Sequence, residues 1–233
     1  MDREWSFLNS NACRPARYYL GVSKRKAHRR PGDTMEPILA ALLGYLSGSI
    51  PFGLLLTLAA GKGDVRRQGS GNIGATNVLR TGSKGLAAGT LLLDLAKGLA
   101  PVIAAGMLWS GAAGEVAQAF AAGGAVLGHC FPVWLGFKGG KGVATNAGVS
   151  FGLGWPIGLA YALVWLSVLG IFRISSLAGM SAVVAAAAAA PMFGYADYFP
   201  VLAAIAALIF WLHRQNISRL IKGEEPKVGG RKA

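Results

Sequence analysis

Three clusters that combine glycine with polar and basic side chains are the part of this sequence best suited to chemistry. In the first, Gly69–Arg80, glycines permit a tight turn whose backbone N–H groups can approach an anion. The side chains that add hydrogen-bond donors there are those of Ser70, Asn72, Thr76, Asn77 and Arg80. The arginine supplies a planar fork of N–H groups that suits phosphate. The segment is therefore either an anion-binding loop or an ordinary connection between two apolar stretches.

The second cluster, Gly136–Asn146, places lysines and glycines directly before an apolar stretch. Free N–H groups and the helix dipole favour an anion at such a helix start. The residues that this pattern offers to a phosphate group are Lys138, Gly139, Gly140, Lys141, Gly142 and Thr145. The nucleotide-binding pattern GxxxxGK[ST] is absent because Lys141 is followed by Gly142, so we exclude a nucleoside triphosphatase. A basic loop at the membrane edge is the alternative.

The third cluster, His213–Glu225, begins where the last apolar segment ends. His213 and Asn216 lie at helical spacing, and histidine can act as a base or a donor near neutral pH. A lone interfacial histidine among basic neighbours is the alternative. The oppositely charged Asp94 and Lys97 lie three residues apart inside an apolar segment, so we predict a structural ion pair there.

The composition indicates an integral membrane protein. The chain is 53% hydrophobic and only 14% charged, and its mean hydropathy is +0.46. A soluble domain carries about 25% charged residues. The two cysteines, Cys13 and Cys130, do not suggest a disulfide framework, and no Cys/His cluster suggests a metal site. We therefore expect no metal, no cofactor and no nucleic-acid partner.

The apolar segments predict an all-α architecture of about seven transmembrane helices. Each is long enough, or apolar enough, to cross a bilayer at 1.5 Å per residue. The predicted crossings are residues 38–60, 86–109, 116–137, 142–154, 156–172, 174–190 and 198–213. The fourth and fifth are separated at Gly154-Trp155-Pro156, because proline interrupts a helix.

The distribution of Lys and Arg predicts the orientation. Basic residues gather in the segments 61–85 and 138–141, at Arg173 and beyond Arg214, whereas the opposite loops carry almost none. The positive-inside rule then places these segments and the C-terminus in the cytoplasm, with the N-terminus outside. All three clusters fall on that cytoplasmic face. Residues 35–225 form the predicted membrane domain, and residues 226–233 a basic cytoplasmic tail.

Residues 1–34 do not fit this arrangement, because they are basic and precede a segment that should lie outside. They contain no apolar run that could be a signal peptide. We expect a disordered leader or a mis-assigned start, with Met35 as the true beginning. An HxxxxD pattern, the base-plus-carboxylate pair of many acyltransferases, occurs at His28 and Asp33. It precedes the first crossing and contains Pro31-Gly32, so we do not assign it a catalytic role.

Taken together, the three clusters resemble the PlsY-type family of bacterial membrane glycerol-3-phosphate acyltransferases. The likeness covers nearly all of residues 35–225. It depends on Ser70 to Asn77 with Arg80, on Gly128-His129 followed by 136–145, and on His213-Arg214 followed by Asn216-Ile217 and Arg219-Leu220. The resemblance implies transfer of an acyl group from acyl-phosphate to the 1-hydroxyl of sn-glycerol 3-phosphate. The products would be 1-acyl-glycerol 3-phosphate, also called lysophosphatidic acid, and phosphate, in the first committed step of phospholipid synthesis.

The same resemblance implies roles for individual residues. Ser70, Arg80, His213 and Asn216 match important catalytic positions, residues 138–142 match a glycerol-phosphate loop, and Glu225 matches a structural position. The enzyme would lie in the bacterial inner membrane with its active site on the cytoplasmic side. Its partners would be the two substrates and membrane lipid, with no obligate protein partner.

Several alternatives stay open on the sequence alone. The base that removes the hydroxyl proton is either His213 or the substrate phosphate, and either Lys138 or Lys141 dominates phosphate binding. Asn77 is either a substrate ligand or a hydrogen-bond partner between helices. A membrane transporter of an organic phosphate is the alternative function, and it would need polar groups distributed toward both membrane faces.

Overall fold

A computed structural model describes residues 35–229 of the chain, which form helices, turns and loops without a β-strand. The predicted leader with its HxxxxD pattern, Cys13 and the last four residues of the predicted tail lie outside the described residues. The helices are α1 (Met35–Gly48), α2 (Phe52–Ala59), α3 (Ala75–Leu79), α4 (Lys84–Leu108), α5 (Gly111–Cys130), α6 (Val143–Leu153), α7 (Trp155–Phe172), α8 (Ser175–Met192), α9 (Phe199–Leu212) and α10 (Arg214–Ile221).

Five helical segments in the described part of the chain are long and apolar enough to cross a membrane, or up to six if α9 and α10 count as one bent span. The break between α6 and α7 at Gly154 agrees with the predicted separation. However, α6 has 11 residues, which corresponds to about 16 Å. The count of seven crossings therefore stays a prediction.

The predicted first crossing, 38–60, corresponds to one candidate span at Met35–Ala59, in which the helix is broken between Gly48 and Phe52. Pro51 has no N–H to donate, so the backbone leaves the helical path there. The Ile50 carbonyl that lies at this break accepts a hydrogen bond from Lys97 Nζ at 2.7 Å. Lys97 Nζ also lies 2.7 Å from Asp94 Oδ1, and both side chains are buried. The structure thus places Asp94 and Lys97 together as a buried pair, and Lys97 also bonds the carbonyl at the break in the first span.

Other helix ends differ from the prediction by a few residues. The helix α5 begins at Gly111 instead of residue 116 and ends at Cys130, where a separate 3₁₀ turn follows at Val133–Leu135. The helix α8 continues through Pro191 to Met192, because a proline in the last turn removes only one helical hydrogen bond.

Small residues let the helices pack at short distances. Gly44 and Gly48 of α1 lie directly on the backbone of α5 at Ala121 and Ala125, where any Cβ would collide. Gly98 of α4 lies in the same way on Thr145 of α6. Such contacts are typical of helices that associate in a membrane.

The shortness of α6 is the feature of the fold that creates space for a site. The helix packs between α4, which has 25 residues, and α7, which has 18. Its first turn is fixed to α7 by the Tyr161 hydroxyl, which donates to the Val143 carbonyl at 2.7 Å. Because both neighbours are longer than α6, a recess remains above the α6 N-terminus.

Candidate functional site

The recess is a cavity of about 330 Å³ in which all three clusters meet. One end is polar and is formed by the segment 70–80, the α6 N-terminus, the start of α8 and α10. The other end is apolar and runs between α4 and α7. Its lining residues include Leu91, Leu92 and Leu95 of α4, Ala147 and Phe151 of α6, and Ala162, Trp165 and Leu166 of α7. The cavity therefore suits a ligand with an anionic head and an apolar chain.

The first cluster is held in shape by the buried side chain of Asn77. Its Nδ2 group donates to the carbonyls of Val65, Gln68 and Asn72 at 2.8–3.0 Å, and its Oδ1 accepts from the Ser70 N–H at 3.0 Å. These four bonds use the hydrogen-bonding capacity of the amide. Although Asn77 borders the cavity, its contacts are those of a scaffold residue.

Gly69 is a glycine that both the backbone conformation and the surroundings of this loop require. Its φ of +55° is unfavourable for other residues, and a Cβ there would collide with Asn77 Oδ1. The loop then presents Ser70 and Arg80, whose side chains are exposed at the polar end of the cavity. Thr76 also borders the cavity, and its hydroxyl contacts the Ser175 hydroxyl of α8 at 3.0 Å.

The second cluster contributes less to the cavity than its sequence suggests. The N–H groups of Gly139 and Gly140 are bonded to the carbonyls of Cys130 and His129, each at 3.0 Å. A Cβ on either glycine would collide with His129. Both glycines therefore pack against the end of α5, and their N–H groups are not available to a ligand. They let the chain turn back so that Lys141 enters the cavity.

The start of α6 is the anion-binding feature of this cluster. Gly142 precedes the helix with a φ of +80°, and Val143 and Ala144 border the cavity. The first N–H groups of a helix have no acceptor inside the helix, and they favour a negative charge. Lys141 lies beside this helix end, so a dipole and an ammonium group act on the same part of the cavity.

The third cluster is organised by the Glu225 carboxylate. Its Oε1 accepts hydrogen bonds from Ser176 Oγ at 2.7 Å and from Asn216 Nδ2 at 2.5 Å, and its Oε2 accepts from Arg219 Nε at 2.7 Å. The Asn216 Oδ1 in turn accepts a hydrogen bond from Lys141 Nζ. A continuous chain of bonds thus joins the segment after α10 to the second cluster.

The surroundings shift the pKa values of two members of this chain. Burial would raise the pKa of Glu225, but the bonds from Ser176, Asn216 and Arg219 hold it below its ordinary value. Burial, and then the positive charge of Arg219, lower the pKa of the Lys141 ammonium. The charge of Arg219 therefore disfavours the charged form of Lys141. An anionic ligand would offset this repulsion, so the place suits such a ligand.

His213 lies at the junction of α9 and α10, and its imidazole is buried beside the cavity. Its Nδ1 is 2.8 Å from the Ile209 carbonyl. A carbonyl oxygen only accepts hydrogen bonds, so Nδ1 carries the proton and Nε2 keeps a lone pair. The geometry leaves Nε2 as a proton acceptor.

Most of the residues predicted for the site meet in this cavity. Those that border it are Ser70, Asn72, Thr76, Asn77, Arg80, Asp94, Lys141, Gly142, His213, Asn216 and Glu225. Those that do not are Lys97, Lys138, Gly139, Gly140 and Thr145. Lys138 is exposed outside the cavity, and Thr145 is fully buried against α4.

Sequence reasoning assigned no role to several other residues that border the cavity, among them His129, Ser176 and Trp165. His129 adjoins the second cluster, so its position next to Gly140 was a usable signal. Ser176 and Trp165 lie in apolar helices with no pattern that separates them from packing residues.

Comparisons with known sequences give a consistent result. A family profile described as glycerol-3-phosphate acyltransferase matches residues 38–223. A glycerol-3-phosphate acyltransferase from Erythrobacter litoralis (strain HTCC2594) is 66% identical over 197 residues, which cover 84% of this chain and 98% of that protein. A protein of the same name from Novosphingobium aromaticivorans is 63% identical over 198 residues, with coverages of 85% and 98%.

Two solved structures are similar to this fold. Both are crystal structures of PlsY, an integral membrane glycerol 3-phosphate acyltransferase. The glycerol 3-phosphate form has a TM-score of 0.77 at 38% identity, covering 83% of this chain and 96% of that chain. The lysophosphatidic acid form has a TM-score of 0.75 at 37% identity, with coverages of 82% and 94%.

The bonds to Glu225 predict that its charge stabilises the site. We expect Glu225→Gln to lower the free energy of unfolding by about 1–3 kcal/mol, because an amide replaces an acceptor that binds three donors. Thermal unfolding in detergent measures the effect. Glu224→Gln is the matched control, since its side chain is exposed and adjacent. Equal melting temperatures for the two variants would contradict the assignment.

Proposed function

This chain belongs to the glycerol-3-phosphate acyltransferase family, and we propose that it transfers the acyl group of acyl-phosphate to the 1-hydroxyl of sn-glycerol 3-phosphate. The products are 1-acyl-sn-glycerol 3-phosphate and inorganic phosphate. One observation carries the proposal: a single cavity joins a polar end with several anion-binding groups to an apolar end between α4 and α7. Both substrates carry phosphate, and one also carries a long chain.

The polar end supports binding of the phosphate groups. Arg80 and Ser70 border it from one side, and Lys141 with the α6 N-terminus borders it from the other. Arginine binds phosphate oxygens with a planar fork of N–H groups, and lysine binds them as a point charge. A helix N-terminus binds them with several backbone N–H groups. The sequence leaves open whether Lys138 or Lys141 dominates phosphate binding. We assign the phosphate contact to Lys141, because Lys138 lies outside the cavity. Asn216 positions Lys141 through its Oδ1.

The chemistry of the site favours an activated donor. Phosphate is a good leaving group, so acyl-phosphate does not need a covalent enzyme intermediate. The His213 ring is bonded to a backbone carbonyl and not to a Ser or Cys side chain that would act as a nucleophile. Direct attack by the bound hydroxyl is the simpler reaction, and holding both substrates in one cavity supplies much of its rate.

The proposed reaction is one direct transfer between two bound substrates. The 1-hydroxyl oxygen attacks the acyl carbonyl carbon while its proton moves to His213 Nε2. The tetrahedral intermediate then collapses, the bond between carbonyl carbon and phosphate oxygen breaks, and His213 returns the proton to the departing phosphate. Cations and the α6 N-terminus stabilise the negative charge that develops on the leaving group.

As a member of this family the chain is a multi-pass membrane protein. We infer that the polar end of its cavity faces the cytoplasm. The support is the concentration of positive charge around that end, where Arg66, Arg67 and Arg80 are exposed near one side and Arg214 and Lys222 near another. Soluble glycerol 3-phosphate would enter there, while the apolar end receives the acyl chain from the bilayer.

An assay of three acyl donors tests the proposal. Purified protein in detergent receives labelled glycerol 3-phosphate with acyl-phosphate, acyl-coenzyme A or an acyl carrier protein thioester of the same chain. We expect labelled lysophosphatidic acid with acyl-phosphate alone, together with one phosphate released per product. Lys141→Ala controls for contaminating activity. Comparable product from acyl-coenzyme A, or none from acyl-phosphate, would overturn the assigned donor.

The lowered pKa of Lys141 predicts a pH dependence of substrate binding. A lysine is charged at pH values below its pKa. Because the pKa of Lys141 is lowered, this side chain loses its positive charge at a lower pH than an ordinary lysine does. A phosphate monoester with a second pKa of about 6 stays dianionic in this range. We expect the KM for glycerol 3-phosphate to rise with pH, and to begin rising below the pH at which an ordinary lysine loses its charge. Lys141→Arg should remove that rise, because a guanidinium stays charged. If the wild-type protein and Lys141→Arg gave parallel profiles of KM against pH, the assigned contact would be refuted.

The proton acceptor is tested by His213→Ala. If Nε2 is the base, kcat should fall by about 10²- to 10⁴-fold with little change in the KM for glycerol 3-phosphate. Added imidazole should restore part of the lost kcat, because it can enter the space left by the ring. A variant that keeps near-normal kcat would instead identify the substrate phosphate as the base.

A further inference from the structure

The turn between α7 and α8 contains a residue in an unfavourable backbone conformation. Arg173 ends α7 with a φ of +59°, in the left-handed region where a helix end usually carries glycine. A residue with a Cβ is strained there, and such a conformation persists when other contacts hold it. The reaction steps above make no use of this residue.

The contacts that hold Arg173 in this conformation include two hydrogen bonds to Val228, which lies 55 residues later in the chain. The Val228 N–H donates to the Arg173 carbonyl at 2.7 Å. In the other direction, Arg173 Nη2 donates to the Val228 carbonyl at 3.2 Å. The backbone and the side chain of one residue therefore bind the same partner, and we call this pair of bonds the Arg173–Val228 clamp.

The clamp fixes the far end of the segment from Glu225 to Val228, which we call the strap. At the near end of the strap, the Glu225 carboxylate accepts a hydrogen bond from Ser176 Oγ at 2.7 Å. Ser176 lies three residues after Arg173, and Glu225 lies three residues before Val228. The strap therefore runs antiparallel to the segment that begins α8 and is bonded to it at both ends. Only two residues lie between these ends, and one of them, Pro226, has a fixed φ.

The strap forms part of the wall of the cavity, because Glu225 and Pro226 border it. It follows Gly223, which has a φ of +72° where the chain turns away from α10. Glycine restricts the direction of a chain less than other residues do, so the clamp adds a constraint that this turn lacks. A strap held in this way keeps Glu225 within reach of Asn216, whose Oδ1 accepts a hydrogen bond from Lys141 Nζ.

We propose that Arg173 is a positioning residue of the glycerol 3-phosphate site. This inference rests on the proposed function. Through Val228, Arg173 fixes the position of Glu225, and the chain of bonds that begins at Glu225 presents Lys141 to the phosphate before the substrate binds. Such preorganisation increases affinity, because fewer groups have to become ordered on binding. The contact with Val228 also accounts for an arginine at a position that usually carries glycine.

Binding of glycerol 3-phosphate in the absence of an acyl donor tests the clamp. Calorimetric titration of the purified protein in detergent gives the Kd without requiring catalysis. Val228→Pro removes the N–H that donates to the Arg173 carbonyl, and we expect it to raise the Kd about five-fold. Val228→Ala is the matched control, because it keeps both backbone groups of the clamp. It should bind glycerol 3-phosphate as the wild-type protein does.

Arg173→Gly tests the other bond of the clamp. Glycine adopts a positive φ without strain, so the turn is kept, but the bond from the guanidinium is lost. We expect a higher Kd for glycerol 3-phosphate together with a melting temperature that is not lowered. A residue with only a structural role would give the opposite result, a lower melting temperature with an unchanged Kd.

A double-mutant cycle tests whether the clamp acts through Glu225. Glu225→Gln removes the carboxylate that the clamp positions, so Val228→Pro should raise the Kd no further in that background. An equal rise of the Kd in both backgrounds overturns the proposal. So does a Kd in Val228→Pro that equals the Kd in Val228→Ala, and this second comparison does not require folded Glu225→Gln. Failure of the wild-type protein to bind glycerol 3-phosphate would overturn the proposed function itself, whereas the assay of acyl donors does not depend on the clamp.

Discussion

The carboxylate of Glu225 is the interaction on which the site depends. It binds Ser176 at the start of α8, Asn216 and Arg219 of α10, and through Asn216 it reaches Lys141. These residues come from three separate parts of the chain. Without the carboxylate, one cation, one amide and one hydroxyl would lose their shared acceptor in a partly buried place. One negative charge therefore lets several positive groups lie close enough together to bind phosphate.

The short helix α6 supplies the second constraint. A full-length helix at this place would fill the space between α4 and α7, whereas a helix of 11 residues ends inside the protein. Its first N–H groups have no acceptor inside the helix, and its first turn borders the cavity. The turn that makes this possible uses Gly139 and Gly140, which pack on His129, and Gly142, which has a positive φ. A membrane-embedded enzyme can thus bring a polar substrate to the level of an apolar chain.

The family, the membrane class and the three clusters could be predicted from the sequence, because hydropathy, glycine and charge leave strong local signals. Roles within the clusters could not. Asn77 and Gly140 have residue types that suit an anion, but their bonds go to the protein's own backbone, which depends on how the chain turns back. Trp165 lies in an apolar helix that gives no sign of which face borders the cavity. Pro51 is a helix-breaking residue in the printed sequence, but the crossing 38–60 was predicted without a break. The link between this break and Lys97 depends on the packing of α4 on α1.

A crystal structure of this protein with glycerol 3-phosphate bound would test the proposed arrangement of the site. We expect the phosphate to lie within hydrogen-bond distance of Lys141 Nζ and the first turn of α6. We also expect the 1-hydroxyl to lie next to His213 Nε2 and to point toward the apolar end of the cavity. A phosphate bound at the exposed Lys138, or a hydroxyl that points away from His213 and the apolar end, would contradict this arrangement.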